Sequence, residues 1–174
     1  MDLFEAIKKR HSYRKDFNGT KIPKEDLIKI VQAGIDAPSG CNAQSTSFVI
    51  VDDESIIEKM RGIVKNNAIK TAQAVIVVLA LDETLSNGLN FYKEDYSAAV
   101  ENMLLAITAL GYATVWIDGA LRRERKAERI AQLLGVPDDL MVSVVLPMGV
   151  PKVEVAPNEK LPFDKRAWFN GYKK

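Results

Sequence analysis

Apolar residues recur along the chain at two spacings, and the elements follow from them. Leu3, Phe4 and Ile7 repeat at helical spacing, and the cluster Lys8, Lys9, Arg10 suits the negative end of that short helix. Asn18-Gly19 marks a turn. Pro23 stands at the first position of a second helix, whose stripe is Leu27, Ile30, Val31 and Gly34 and which ends before Pro38. After the loop Pro38-Ser39-Gly40-Cys41-Asn42, the short β-branched run Phe48 to Val51 predicts a buried strand, followed by a helix over 54–65. Ala74 to Ala80 is the clearest strand. Tyr96 to Leu110 predicts a helix with Val100, Met103, Leu104 and Ile107 on one face. Ala98, Ala99, Leu105 and Ala109 widen that stripe, so this helix should be central, with Gly111 closing it in a left-handed conformation. Tyr112 to Ile117 reads as a third strand, Glu124 to Leu134 as an amphipathic helix closed by Gly135, and Val142 to Val150 as a fourth strand.

Helices alternate with some four strands, which predicts an α+β or α/β sandwich. Its 174 residues suit one domain over 1–150, and no repeat or low-complexity tract interrupts it. The tail 151–174 is different: Pro151, Pro157 and Pro162 alternate with Leu161, Phe163, Trp168, Phe169 and Tyr172. Such a segment either folds back on its own domain or lies across a partner.

Charge and composition narrow the function. Twenty-four Lys plus Arg against 23 Asp plus Glu leave a net charge of +1, no field for nucleic acid or a membrane surface. Cys41, the only cysteine, cannot form an internal disulfide, and residues 1–14 carry charges where a signal peptide needs an apolar run. Ala74 to Leu81 falls far short of the roughly 18 residues of a membrane span. These features predict a soluble cytoplasmic protein. The common dinucleotide, nucleoside triphosphate and zinc motifs are absent, and with His11 the only histidine, chemistry should be carried by a bound cofactor.

Four constellations are candidates. Arg10-His11-Ser12-Tyr13-Arg14 puts two guanidinium groups and a hydroxyl at a helix end, a cluster that suits a phosphate but equally a solvated, dipole-favoured terminus. Pro38-Ser39-Gly40-x-Asn42-x-Gln44 is loop material by composition. Trp116-Ile117-Asp118-Gly119 lies at the carboxyl end of a predicted strand, where ligands often bind and Gly allows close approach, or is a plain turn. Glu101, among apolar residues of the central helix, reads as a buried, paired carboxylate with a structural role.

Taken in order, the segments 6–17, 37–44, 98–106, 110–119 and Met148-Gly149-Val150-Pro151 with its basic Pro-rich tail resemble the nitroreductase family across essentially the whole chain. The resemblance implies an α+β three-layer sandwich around a mainly antiparallel sheet, completed at its edge by the carboxy-terminal arm of the other subunit. It implies a homodimer with FMN at the interface and NADH or NADPH as co-substrate, passing hydride by a ping-pong scheme to nitroaromatics, quinones or flavins. No catalytic side chain, metal, nucleic acid or membrane partner is implied. Carried over by residue, Arg10, Ser12 and Arg14 match positions holding the flavin's phosphate, ribityl chain and pyrimidine edge, with His11 contributing chiefly backbone. Pro38, Ser39 and Gly40 match the partner-subunit loop over the flavin, joined by Asn42 and Gln44. Asn67 resembles a ring-edge contact, backbone N–H groups of Ile117, Asp118 and Gly119 would face N5, and Lys160 is placed as the arm's phosphate ligand. Two departures stand out. Family members often continue the second block with Gln-Pro-Trp, whereas Gln44 is followed here by Ser45-Thr46. Residues 82–95 also resemble a shortened remnant of the lid that shapes the substrate pocket. A specialised relative, reductive dehalogenase-like or flavin-destructase-like, and a flavin-binding protein without turnover are the alternatives.

Overall fold

Asp2 starts the first helix, α1 (Leu3–Lys9), by accepting the Glu5 N–H on its carboxylate at 2.9 Å. The helix is where periodicity puts it, but only Ala6 is buried, and Leu3, Phe4 and Ile7 point to solvent, Phe4 at 81% exposure. These coordinates are a computed structural model that describes residues 1–172; Lys173 and Lys174, the end of the expected arm, lie outside the described residues. α2 (Lys24–Ile35) follows Pro23, which precedes the helix rather than opening it, and buries Leu27, Ile30, Val31 and Gly34 as expected. β1 (Thr46–Val51) starts two residues earlier than predicted. α3 (Glu54–Val64) is capped by the Asp53 carboxylate, which accepts the Ser55 and Ile56 N–H groups at 2.8 and 3.2 Å.

β2 (Ala74–Leu81) leads through residues 82–91 into α4 (Tyr92–Ala109), four residues longer at its start than its stripe suggests. The extension is local chemistry: Asn90 accepts the Tyr92 N–H at 3.2 Å, and Glu94 and Asp95 favour the positive end of the helix. Gly111, at φ 84°, closes α4 as predicted. β3 is only Ala113–Thr114, far shorter than the expected Tyr112–Ile117. Pro147, next in the facing register, has no N–H to continue the ladder, and its carbonyl accepts the Thr114 hydroxyl at 2.8 Å. The chain rejoins the sheet once, where Ile117 bridges Val145. α5 (Lys126–Leu134) begins late because Glu124 and Arg125 take left-handed φ values of 56° and 51°, and β4 (Leu140–Gly149) completes the set.

The four strands form one antiparallel sheet in the order β1-β2-β4-β3. Side chains of β2 alternate strictly between two cores. Val75, Val77 and Leu79 face Ile57, Met60 and Val64 of α3 and Ile130 of α5; Ala74, Ile76 and Val78 face Leu27 and Ile30 of α2 and Val100, Met103 and Ile107 of α4. Both faces being covered explains why β2 reads as an unbroken apolar run although its neighbours are antiparallel. The result is the expected three-layer α+β sandwich. Among the described residues, no helix is long and apolar enough to cross a membrane.

After Pro151 the chain is held at its root and then leaves the body. The Lys152 N–H reaches the Asp16 carbonyl at 3.1 Å, and Val155 packs against the α3–α5 core. Beyond it, Leu161, Phe163, Phe169 and Tyr172 are exposed, and the described backbone hydrogen bonds of 156–172 stay within the short turn Phe163–Lys165 and its flanks.

Candidate functional site

The first candidate segment is an edge of the sheet. Ser12 bridges Thr114 in parallel, the Tyr13 N–H donates to the Thr114 carbonyl at 2.8 Å, and Phe17 bridges Pro151. Extended pairing alternates the side chains: Tyr13 and Phe17 are buried with their rings 5.3 Å apart, while Ser12 and Arg14 face outward. The Tyr13 hydroxyl donates to the Asp16 carbonyl at 2.8 Å and accepts the Lys152 and Val153 N–H groups at 3.1 and 3.4 Å, tying this edge to the root of the arm. Arg10 turns toward α4, its Nε 3.3 Å from Glu101. Glu101 is therefore paired as expected but not buried, its side chain being 51% exposed. His11 lies against its own backbone, Nδ1 2.8 Å from the Lys9 carbonyl, and its Nε2 is buried without a partner.

Arg14 opens into a groove with Lys15, Asp16, Asn67, Lys70, Lys152 and Val153. The groove brings together Arg14 and Asn67, 53 positions apart, and adds Lys70 and Lys152, two cations that the sequence reading did not single out. Lys70 was within reach of it, three residues after Asn67 across a single helical turn (Asn67–Ile69). Among the described residues, no ion pair or side-chain hydrogen bond engages Arg14, Lys70 or Lys152. Four cations against Asp16, held on a β-edge and a short turn, make a groove suited to an anionic ligand with hydrogen-bonding edges.

The loop 38–45 lies elsewhere. Pro38, Ser39 and Gln44 line a cavity with Gly34, Phe48, Asp95 and Ala99, and the Arg14 groove contains none of them. Cys41, Asn42 and Gln44 all sit at φ 52–55°, the left-handed region that costs residues with a Cβ about 1 kcal/mol or more, so the surroundings must hold them there. Asp95 does much of this. Almost wholly buried at 4% exposure in the first turn of α4, its carboxylate accepts the Gly40 N–H at 2.7 Å and the Ser45 hydroxyl at 2.6 Å. Gly40 is packed against the Phe91 ring so closely that a Cβ would overlap it. Nothing in the sequence marked Asp95, because its partners lie 50 and 55 positions away.

The third segment is a built turn. Ile117 exchanges backbone hydrogen bonds with Val145 at 2.9 and 3.1 Å, Asp118 takes Arg122 in a two-pronged pair at 2.8 and 2.7 Å, and Gly119 is exposed. Tyr96 stands by Trp116 with ring centres 6.4 Å apart, and burial, reinforced by the Asp118 carboxylate, pushes its phenol pKa up so that it keeps its proton. Lys160 is exposed on the arm, away from all three segments' hydrogen bonds. One chain therefore assembles Arg14 with Asn67, and separately Pro38, Ser39 and Gln44, but does not join the two sets in one cavity.

The profile of the nitroreductase family matches residues 7–80 and 64–150. A relative from Archaeoglobus fulgidus, provisionally named NADH dehydrogenase/NAD(P)H nitroreductase, is 34% identical over 154 residues, covering 88% of this chain and 87% of its own. The iodotyrosine deiodinase of Thermotoga neapolitana is 28% identical, covering 86% of this chain and 88% of its own. The solved structure of an FMN-dependent nitroreductase from Clostridium difficile superimposes with a TM-score of 0.83 at 26% identity, covering 98% of this chain and all of that one. With the sandwich, the order of the segments and the profile match in accord, the chain belongs to the nitroreductase family, and the protein is an oxidoreductase of that family.

Proposed function

We propose that the protein is an FMN-dependent oxidoreductase that works as a homodimer, takes hydride from NADH or NADPH and delivers it to small oxidised acceptors such as nitroaromatics, quinones or flavins. The observation that carries the reading is the groove of Arg14, Asn67, Lys70 and Lys152, whose cations have no protein partners among the described residues. The donor set fits FMN. Arg10 and Ser12 would hold its phosphate and ribityl chain, joined by Lys160 from an arm; Arg14, Asn67 and Lys70 would meet the polar edge of its ring. The orphaned Nε2 of His11 fits a buried polar neighbour supplied by a ligand or a second chain.

Bound FMN supplies the hydride chemistry, accepting from the nicotinamide and passing to the acceptor in alternation. The residues of the chain position and polarise. The fixed charge of Arg14 would favour an electron-rich ring, and the N–H groups of Asp118 and Gly119, in a turn anchored by the Ile117–Val145 pair, would present donors to it, whereas the Ile117 N–H is taken by the Val145 carbonyl. Solvent provides protons, so no side-chain acid is required.

What one chain leaves open supports the two-chain assembly. Leu3, Phe4 and Ile7 on α1 and Leu161, Phe163 and Phe169 on the arm are too many large apolar groups for a free surface. In a two-fold pair each arm crosses the other body, and the loop at Pro38, Ser39, Gly40, Asn42 and Gln44 covers the partner's flavin. On this reading residues 1–150 are the flavin-binding domain and 151–174 the wrapping arm, and the setting is cytoplasmic.

The test is absorbance: protein reconstituted with FMN should show bound-flavin bands and bleach anaerobically with NADH or NADPH. A colourless monomer at saturating FMN refutes the proposal, and bound FMN that neither nicotinamide reduces would instead mark a flavin-binding protein without turnover. The deiodinase relative favours one second reading, reductive removal of halogen from a halogenated phenol, which iodide release from an iodophenol under anaerobic NADPH would separate from nitro reduction.

A further inference from the structure

The loop 38–45 and the segment 82–91, the part before α4 of the stretch 82–95 that resembles a shortened lid, are far apart in sequence, yet the structure knots them at one side chain. Asp95 accepts the Gly40 N–H through Oδ1 and the Ser45 hydroxyl through Oδ2, the Leu81 N–H donates to the Ser45 carbonyl at 2.8 Å, and Phe91 closes over Gly40. The end of β2, both ends of the loop and the junction of lid and α4 therefore meet around a buried carboxylate. A small cavity beside it is lined by Ala43, Ser45, Leu81, Leu85, Phe91 and Asp95, so lid and loop share a wall. The charge is tolerable there because it lies in the first turn of α4, where the helix dipole favours an anion. Between the clamped ends, Cys41, Asn42 and Gln44 stay in the left-handed region, a conformation that free loop ends would relax.

Ser45 supplies the hydroxyl of this pair, and it follows directly on the left-handed Gln44.

We propose that Asp95 is a positioning residue that couples the lid to the flavin-covering loop, so that one carboxylate sets both cofactor retention and acceptor binding. The inference rests on the proposed function, specifically on the loop lying over the partner's flavin. On this proposal Asp95 acts through Gly40 and Ser45, which its carboxylate holds, and through Phe91, whose carbonyl accepts its N–H at 2.8 Å.

The experiment compares wild type, Asp95→Ala, Asp95→Asn and Ser45→Ala, each reconstituted with FMN. FMN dissociation constants come from flavin fluorescence, and kcat and KM for a nitroaromatic acceptor are measured at saturating FMN and NADPH. Circular dichroism of the FMN-free proteins reports folding. Asp95→Ala is expected to weaken FMN binding and raise the acceptor KM by about tenfold each, with kcat changed less than about threefold. Asn keeps an acceptor for Gly40 and offers an amide to Ser45, so Asp95→Asn should recover most of both losses, a rescue that simple loss of packing would not show. Ser45→Ala removes one of the two bonds and should weaken FMN by about threefold. A folded Asp95→Ala with wild-type FMN affinity and KM overturns the coupling, as does loss of FMN affinity with KM untouched. If Asp95→Ala does not fold, Ser45→Ala decides: wild-type values in both readouts overturn the proposal. Failure of wild type itself to bind FMN would sink the underlying function instead, which the wild-type titration reports separately.

Discussion

Tyr13→Phe removes one oxygen atom and tests how the N-terminal edge is locked to the arm. The ring stays, so its contact with Phe17 survives. What goes is the donor to the Asp16 carbonyl at 2.8 Å and the acceptor for the Lys152 and Val153 N–H groups at 3.1 and 3.4 Å. The losses are unequal. Lys152 also donates to the Asp16 carbonyl at 3.1 Å, so both of those groups keep a partner, whereas the long Val153 contact lies on a residue exposed enough to reach water. The net cost is therefore that of roughly one good buried hydrogen bond and a long contact that water replaces only in part, about 1–2 kcal/mol. For a chain of this size that lowers Tm by about 2–8 °C. Thermal unfolding of both proteins, at one protein concentration because a dimer's Tm depends on it, measures the shift. Since Arg14 and Lys152 flank this junction in the groove, FMN affinity should fall with it. A Tm within about 1 °C of wild type would refute the lock, because a buried hydroxyl with three partners cannot be that cheap to delete.

Other perturbations test other parts of the argument. Arg14→Ala should weaken FMN binding by about tenfold while Lys59→Ala on the outer face of α3 leaves it unchanged; equal titrations would remove Arg14 from the site. Gly40→Ala drives a methyl into the Phe91 ring and should loosen the loop and the segment 82–91 together, read as faster chymotryptic cleavage at Leu85, Leu89 or Phe91; cleavage at the wild-type rate would show that Phe91 yields without cost. Ile76→Ala, at the centre of β2 with no exposure, should cost about 2–5 kcal/mol in urea unfolding, and a cost under about 1 would contradict the two-sided core. Acid should act through Asp53, whose pKa is lowered by the Ser55 hydroxyl and then by the Ile56 and Ser55 N–H groups, and through Asp26, lowered by Lys29 and then Tyr112. Both are depressed on folding, so their stabilisation is complete above the ordinary carboxylate range near about pH 4 and is lost as pH falls through the folded values. Asp53→Asn should flatten that acid limb; an unchanged slope of urea midpoint against pH below about 4 would count against the cap.

Much of this protein is written in local pattern. Period and capping residues placed α2, α3, β2 and the heart of α4, because each element there meets the core through one stripe or two alternating faces, and an apolar side chain answers mainly to burial. The ordered blocks 6–17, 37–44, 98–106, 110–119 and 148–151 carried the family resemblance, which the profile match over 7–80 and 64–150 bears out. Other features depend on contacts between distant residues and could not be read in one dimension. β3 stops at Thr114 because Pro147, in another strand, has no N–H to offer, and α1 leaves Leu3, Phe4 and Ile7 exposed, an orientation that its periodicity alone does not give. Asp95 looks like any acidic residue in a helical first turn until the fold brings Gly40 and Ser45 to its two oxygens. Hydrophobic periodicity is set by a residue's own neighbours in the chain, whereas a hydrogen bond across 55 positions exists only once the sheet and helices have closed the distance.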